Sequence, residues 1–121
     1  MPVEDEYGED LEHPIPRVDA IDVHSVWKTG GSDLNIVIAS PLRADERSMN
    51  RLLRKLQLYL QFIGSTDYDA QCGPPAAERT TIVVNVHPES DKVVFEALER
   101  CRPWVASNRA TLKIVQLGVP E

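Results

Sequence analysis

The start of this chain has no bases. Its first twelve residues carry six acids (Glu4, Asp5, Glu6, Glu9, Asp10, Glu12) and no lysine or arginine. Cysteine is scarce too. Cys72 and Cys101 are the only two among 121 residues. That is too few for a disulfide framework, and reduced thiols in the cytoplasm are the expectation. No apolar run nears the ~20 residues that span a bilayer, and the basic-then-apolar order of a secretory leader is missing. The 3 histidines and 2 cysteines show no zinc-like spacing. Asp67-Tyr68-Asp69 is an acid pair lacking the glycine turn and third ligand that a divalent cation wants. Thr29-Gly30-Gly31-Ser32 joins two strands and opens no helix, so no glycine loop is set to cradle phosphate. No G-x-S-x-G occurs either. These absences predict a chain without metal or cofactor. The acidic balance argues against nucleic acid as a partner.

What is present is an asymmetry of charge. The chain holds 19 acids and 13 bases, so residues 13–121 carry thirteen of each and the net −6 sits in the leading arm. Residues 1–17 also contain Pro2, Pro14 and Pro16 and few large apolar groups. Such a segment buries too little surface to offset its ordering entropy, which predicts a mobile acidic arm over 1–17. Residues 18–117 then form one domain, with 118–121 as a short tail. Apolar residues at 42% and charged residues at 26% are ordinary globular values.

Period-two alternation over 18–28 predicts a strand, with Ile21, Val23 and Trp27 on one face. The turn at Gly30-Gly31 leads to a second strand over 33–39, completing a hairpin. Asp45 is a fitting N-cap. Residues 46–63 follow a 3.6 period, with Met49, Leu52, Leu53, Leu56, Tyr59, Leu60 and Ile63 in one stripe and Gly64 as the stop. Residues 64–79 read as a loop. A strand over 80–87 ends at Pro88. Ser90 is the expected N-cap of a second helix that buries Val94, Ala97, Leu98, Cys101 and either Val105 or Trp104. Pro103 should kink or break this helix. Residues 110–117 are the last strand. The order β-β-α-β-α-β predicts an α+β two-layer sandwich: a four-stranded mixed sheet with two helices on one face.

Arg43, Arg47 and Arg51 recur every four residues and stack on one helix face, with Arg54 and Lys55 beside them. Leu58 and Phe62 continue that face. The expected interface is therefore Arg47, Arg51, Arg54, Lys55, Leu58 and Phe62, all turned away from the core. The acidic arm could fold back on these bases, with Tyr7 and Leu11 as weak apolar anchors.

For chemistry, Asp22 and His24 are neighbours on one strand face and form a base-and-orienter pair. Ser25 points the other way, leaving them no nucleophile. Cys72 lies near Asp67 and Asp69, which disfavour a thiolate. A Cys72–Cys101 bridge is the other use of the thiols.

The segment from Leu52 to Ile63, with its Tyr-Leu-x-Phe-Ile ending (Tyr59, Leu60, Phe62, Ile63), resembles one in a family of small bacterial proteins of unknown function. The similarity extends to the leading hairpin from Val18 to Asp22 and to the strand, helix and strand beyond the long helix. It implies an architecture and a bacterial source, and it supplies no catalytic residues. The functional expectation is a cytoplasmic, non-enzymatic protein-binding module, with a homodimer as its most concrete form. One alternative is an immunity or antitoxin-like protein whose acidic arm masks a basic partner. The other is a small enzyme using His24 and Asp22, or Cys72.

Overall fold

The computed structural model describes residues 8–27 and 30–118. Within them the chain forms β1 (Val23–Val26), β2 (Ser32–Ile38), α1 (Glu46–Ile63), α2 (Thr66–Cys72), β3 (Thr80–Val86), α3 (Lys92–Ser107) and β4 (Thr111–Gln116). The strands lie in sequence order in one four-stranded sheet. β1 is antiparallel to β2, while β2–β3 and β3–β4 are parallel. The expected mixed sheet of an α+β fold is therefore present. Alternation decides which face is covered. Leu34, Ile36, Ile38, Ile82, Val84, Val86 and Leu112 are buried against the helical layer, while the residues between them stay partly or wholly open.

α1 follows its predicted bounds. Asp45 accepts the Ser48 N–H at 2.7 Å, satisfying one orphan donor of the first turn. Leu52, Leu56, Tyr59, Leu60 and Ile63 face the sheet, Met49 is half-buried, and Leu53 turns out to solvent. α2 is an addition to the expected order, inside the segment read as a loop. Ser65 caps it and Asp67 and Asp69 sit in its first turn, but only Tyr68 and Cys72 give it an apolar side. Two buried residues four apart are too few to register as a period.

α3 differs from expectation in two details. Asp91 is its N-cap; Ser90 instead uses its hydroxyl to accept the Leu42 N–H at 3.0 Å. Pro103 sits inside the helix, which runs on to Ser107. The carbonyl freed at Glu99 lies on the solvent side, and Leu98, Cys101 and Val105 anchor the helix on both sides of the proline. Trp104 is exposed and Val105 is the core residue.

β1 is much shorter than the predicted 18–28. Before Val23 the chain leaves the sheet to cross α1, taking Val18 into the core. The hairpin turn is held by the Trp27 N–H donating to the Gly31 carbonyl at 3.0 Å. Gly31 has φ 92°, and a Cβ there would lie 2.1 Å from the Arg79 carbonyl oxygen, the same oxygen that accepts the Ser32 N–H. Gly30, at φ 91°, has its nearest neighbour at 3.7 Å. Gly31→Ala is therefore expected to cost roughly 3 kcal/mol or more, and Gly30→Ala only about 1–2 kcal/mol from backbone strain. Urea unfolding of the two variants checks that order.

Candidate functional site

The arm does not lie where mobility would put it. Residues 8–22 form a strap along α1, and Ile15 and Val18 are core residues at 1% and 3% exposure. The Asp10 N–H donates to the Pro16 carbonyl at 2.8 Å, closing residues 10–16 into a compact loop. Two cations of α1 hold the strap from beneath. Arg51 donates through Nε and Nη2 to the Ile15 carbonyl and through Nη1 to the Gly8 carbonyl. The Lys55 Nζ donates to the Arg17 carbonyl and to Asp22 Oδ1, both at 2.6 Å. Arg47 pairs with Asp10 at 2.8 Å, so among the described residues the arm meets the basic helix through the Asp10 carboxylate and the carbonyls of Gly8, Ile15 and Arg17. Leu11 is exposed and anchors nothing. Tyr7 and the acids at 4–6 lie outside the described residues.

This placement corrects the expected interface. Arg51 and Lys55 are fully interior, at 0% and 1% exposure. Phe62 is half-buried and packed against the core, with its ring edge-on to His24 at 5.3 Å and to Tyr68 at 5.5 Å. Leu58 is half-buried. Arg54 stays outward and donates to Gln57 at 3.2 Å. The bases do stack along the helix, but the face they share is roofed by the strap.

The Asp22–His24 pair does not form. Asp22 spends its carboxylate on Lys55 and on the Val37 N–H, at 3.0 Å. His24 turns to the aromatic cluster, stacked on Tyr68, with its Nε2 3.7 Å from the Cys72 sulfur. Burial holds the His24 imidazole below its ordinary value, so it is neutral at pH 7. Cys72 is 4% exposed, and both cysteines are free thiols. Burial pushes the Cys101 thiol up. The Tyr68 hydroxyl is shared with Ser32 and Thr80.

A second histidine pair went unforeseen. His13 lies 2.9 Å from the Ser48 hydroxyl, in a cleft of about 240 Å³ lined also by Asp10, Glu12, Arg43, Asp45 and Arg47. The Ile15 N–H donates to His13 Nδ1 at 2.9 Å. Nδ1 is thus an acceptor, which leaves the proton of the neutral ring on Nε2, donating to Ser48. That tautomer cannot take the serine proton, so the pair is structural. The sequence signal was the repeated His-Pro dipeptide. His87-Pro88-Glu89 makes the same turn, its Glu89 N–H donating to His87 Nδ1 at 3.1 Å.

Among the described residues no helix or strand covers the sheet face away from the helices. Its rows run Val23–Asn35–Val83–Lys113 and Val37–Asn85–Val115, with Ser25, Asp33, Thr81 and Thr111 along one end. Val23 and Val37 are exposed, and Val83 and Val115 are half-buried. The Asn85 amide donates to the Asn35 side-chain carbonyl at 3.0 Å and to the Ile36 carbonyl at 3.2 Å, within the face.

Among the described residues no group of three histidines, cysteines or acids could hold a metal ion, and no helix is long and apolar enough to cross a membrane. No protein-family model, no curated protein and no solved structure matches the chain.

The strap should depend on its buried cations. Arg51→Met is expected to cost about 3 kcal/mol and Lys55→Met about 2 kcal/mol, since each removes a buried charged donor and strands its acceptors. Arg54→Met, on the solvated side, should stay within about 0.5 kcal/mol. Urea unfolding measures all three, and hydrogen exchange of residues 8–22 shows whether the strap detaches in the first two.

Proposed function

We propose that the protein is a non-enzymatic binding module of bacterial origin that pairs with a second copy of itself through the face of its sheet away from the helices. The observation that carries this reading is the exposed Val23 and Val37, continued by Val83 and Val115, on a face that no element of the described residues covers. The surface moves from the helix, where Arg51 and Lys55 are already engaged, to the sheet. Its rows carry one charge of each sign, Asp33 and Lys113, so two copies facing each other do not bring a net like charge together. With strands ~4.8 Å apart and up to seven residues long, the face covers roughly 300–400 Å². A standard stable interface takes about 800 Å² from each partner, so the association is weak and transient. Two free thiols support placing the protein in the cytoplasm.

The toxin-masking alternative is less well supported, because Asp10 is engaged with Arg47 and Glu9 with Arg17 at 2.7 Å. A second reading, an enzyme built on Cys72, has one contact in its favour, the His24 nitrogen beside the sulfur. The sulfur is buried, at 4% exposure, which closes it to a substrate from solvent. Both native cysteines are therefore expected to react with a small disulfide reagent far more slowly than in urea. A fast native reaction at Cys72 that disappears in His24→Ala would favour the enzyme instead.

Amide spectra of the full chain, diluted from about 1 mM to 20 µM, test the pairing across the weak-affinity range. Concentration-dependent shifts should cluster on β2, β3 and β4 and vanish in Val37→Lys, while Leu58→Glu leaves them in place. Spectra unchanged by dilution, or shifts confined to α1, would overturn it.

A further inference from the structure

We propose that His13 is a latch that holds the strap on α1 at neutral pH and releases it as the solution acidifies. The geometry allows one site for a second ring proton. Nε2 already carries a hydrogen toward Ser48, so the proton must enter at Nδ1, where the Ile15 N–H points. Donor would then face donor. Protonation and the His13–Ile15 turn are mutually exclusive. The turn also fixes Ile15 itself, a buried core residue whose carbonyl is the main acceptor of Arg51.

The charges around the ring oppose the proton in part and favour it in part. The strap contributes Asp10 and Glu12, the connection before α1 contributes Arg43 and Asp45, and α1 contributes Glu46, Arg47 and Arg51. Burial, then Arg51 and Arg47, hold His13 below its ordinary 6.5, against the pull of Asp10 and Asp45. Those two carboxylates are themselves held below the usual range, Asp10 by its bond to Arg47 and Asp45 by its bonds to Ser48. They stay ionised between pH 7 and 5, so a change in that window is not theirs. Linkage sets the sign. A released His13 binds a proton near 6.5, while a latched one binds it only at lower pH. The latched state therefore loses stability as pH falls from about 6.5 through the latched value, and it is fully favoured above 6.5. His87 offers an internal comparison, since it makes the same turn before the exposed Glu89, which plugs no core.

The test is amide hydrogen exchange of the full chain at pH 7.5 and pH 5.0, corrected for intrinsic rates. Residues 8–17 should lose protection relative to β3 at pH 5.0, by at most about thirtyfold, the limit set by a released histidine that binds its proton near 6.5. His13→Asn keeps an acceptor for the Ile15 N–H and cannot be protonated in this range, so its strap should respond little to pH. Ring nitrogen shifts of the wild type give a reading that needs no variant, and at pH 7.5 they should show Nδ1 of His13 unprotonated. The proposal fails if strap protection is the same at both pH values, or if strap and β3 open together. It also fails if His13→Asn responds like the wild type, or if Nδ1 carries the proton at pH 7.5.

Discussion

Two cations shut away from water determine how the front of this chain is arranged. Arg51 and Lys55 cannot sit at the base of a packed layer unless their hydrogens find acceptors, because an uncompensated buried charge costs several kcal/mol. Among the described residues Asp22 supplies a carboxylate, to Lys55. The other acceptors among the described residues are main-chain carbonyls of Gly8, Ile15 and Arg17. A proline-containing segment suits this task. Pro14 and Pro16 bring no N–H of their own and keep the segment out of helix or ladder, so its carbonyls remain uncommitted. What composition alone reads as a mobile arm over 1–17 is, over residues 8–17, part of the polar lining that makes the helix face tolerable.

The same cluster sets the end of the sheet. Past Val23, β2 still has an N–H at Val37 with no residue of β1 beside it, and the Asn35 carbonyl, opposite Val23, is the last acceptor of the ladder. Asp22 accepts the first and the Tyr59 hydroxyl donates to the second at 2.6 Å, while that hydroxyl accepts the Asp22 N–H at 2.8 Å. Side chains thus replace the ladder where the backbone turns away. Burial raises the Tyr59 phenol far above its ordinary value, which keeps its proton in place for the Asn35 carbonyl. Lys55 links the two systems by holding Asp22, so strap, helix and sheet end share one polar junction.

This junction explains what could be read in advance. Elements defined by many apolar residues at one period were legible: α1 to the residue, and β3, β4 and α3 to within a few. So was the hairpin, from two glycines. α2 was not, because its stabilisation comes from a cap and two buried side chains. The first strand was overextended, because alternation over 18–28 continues into residues that serve the strap. The orientation of Arg51 and Lys55 was missed for a deeper reason. On a wheel they lie opposite the leucine stripe, and only a distant segment with spare carbonyls converts that side into a second interior face. Such acceptors carry no residue identity and leave no trace in a side-chain pattern. Ile15 and Val18 were the legible hint, as β-branched groups in an otherwise polar stretch.

The sheet's edges bear on which of its surfaces can meet another molecule. The Leu117 N–H donates to Val86, so the odd-numbered residues of β4 turn their main-chain groups toward β3 and the even-numbered ones face the free edge. Leu112 is among the latter, and its carbonyl accepts from Arg102, which Glu99 holds in place. An arginine laid across an edge carbonyl blocks strand addition there. The opposite edge, β1, is only four residues long and passes into the strap. Edge-to-edge pairing is thus obstructed on both sides by features that cost the fold little. No comparable obstruction exists on the valine-bearing face. The Asn85 amide there already donates to Asn35 and to the backbone, so a partner need not supply an acceptor for it.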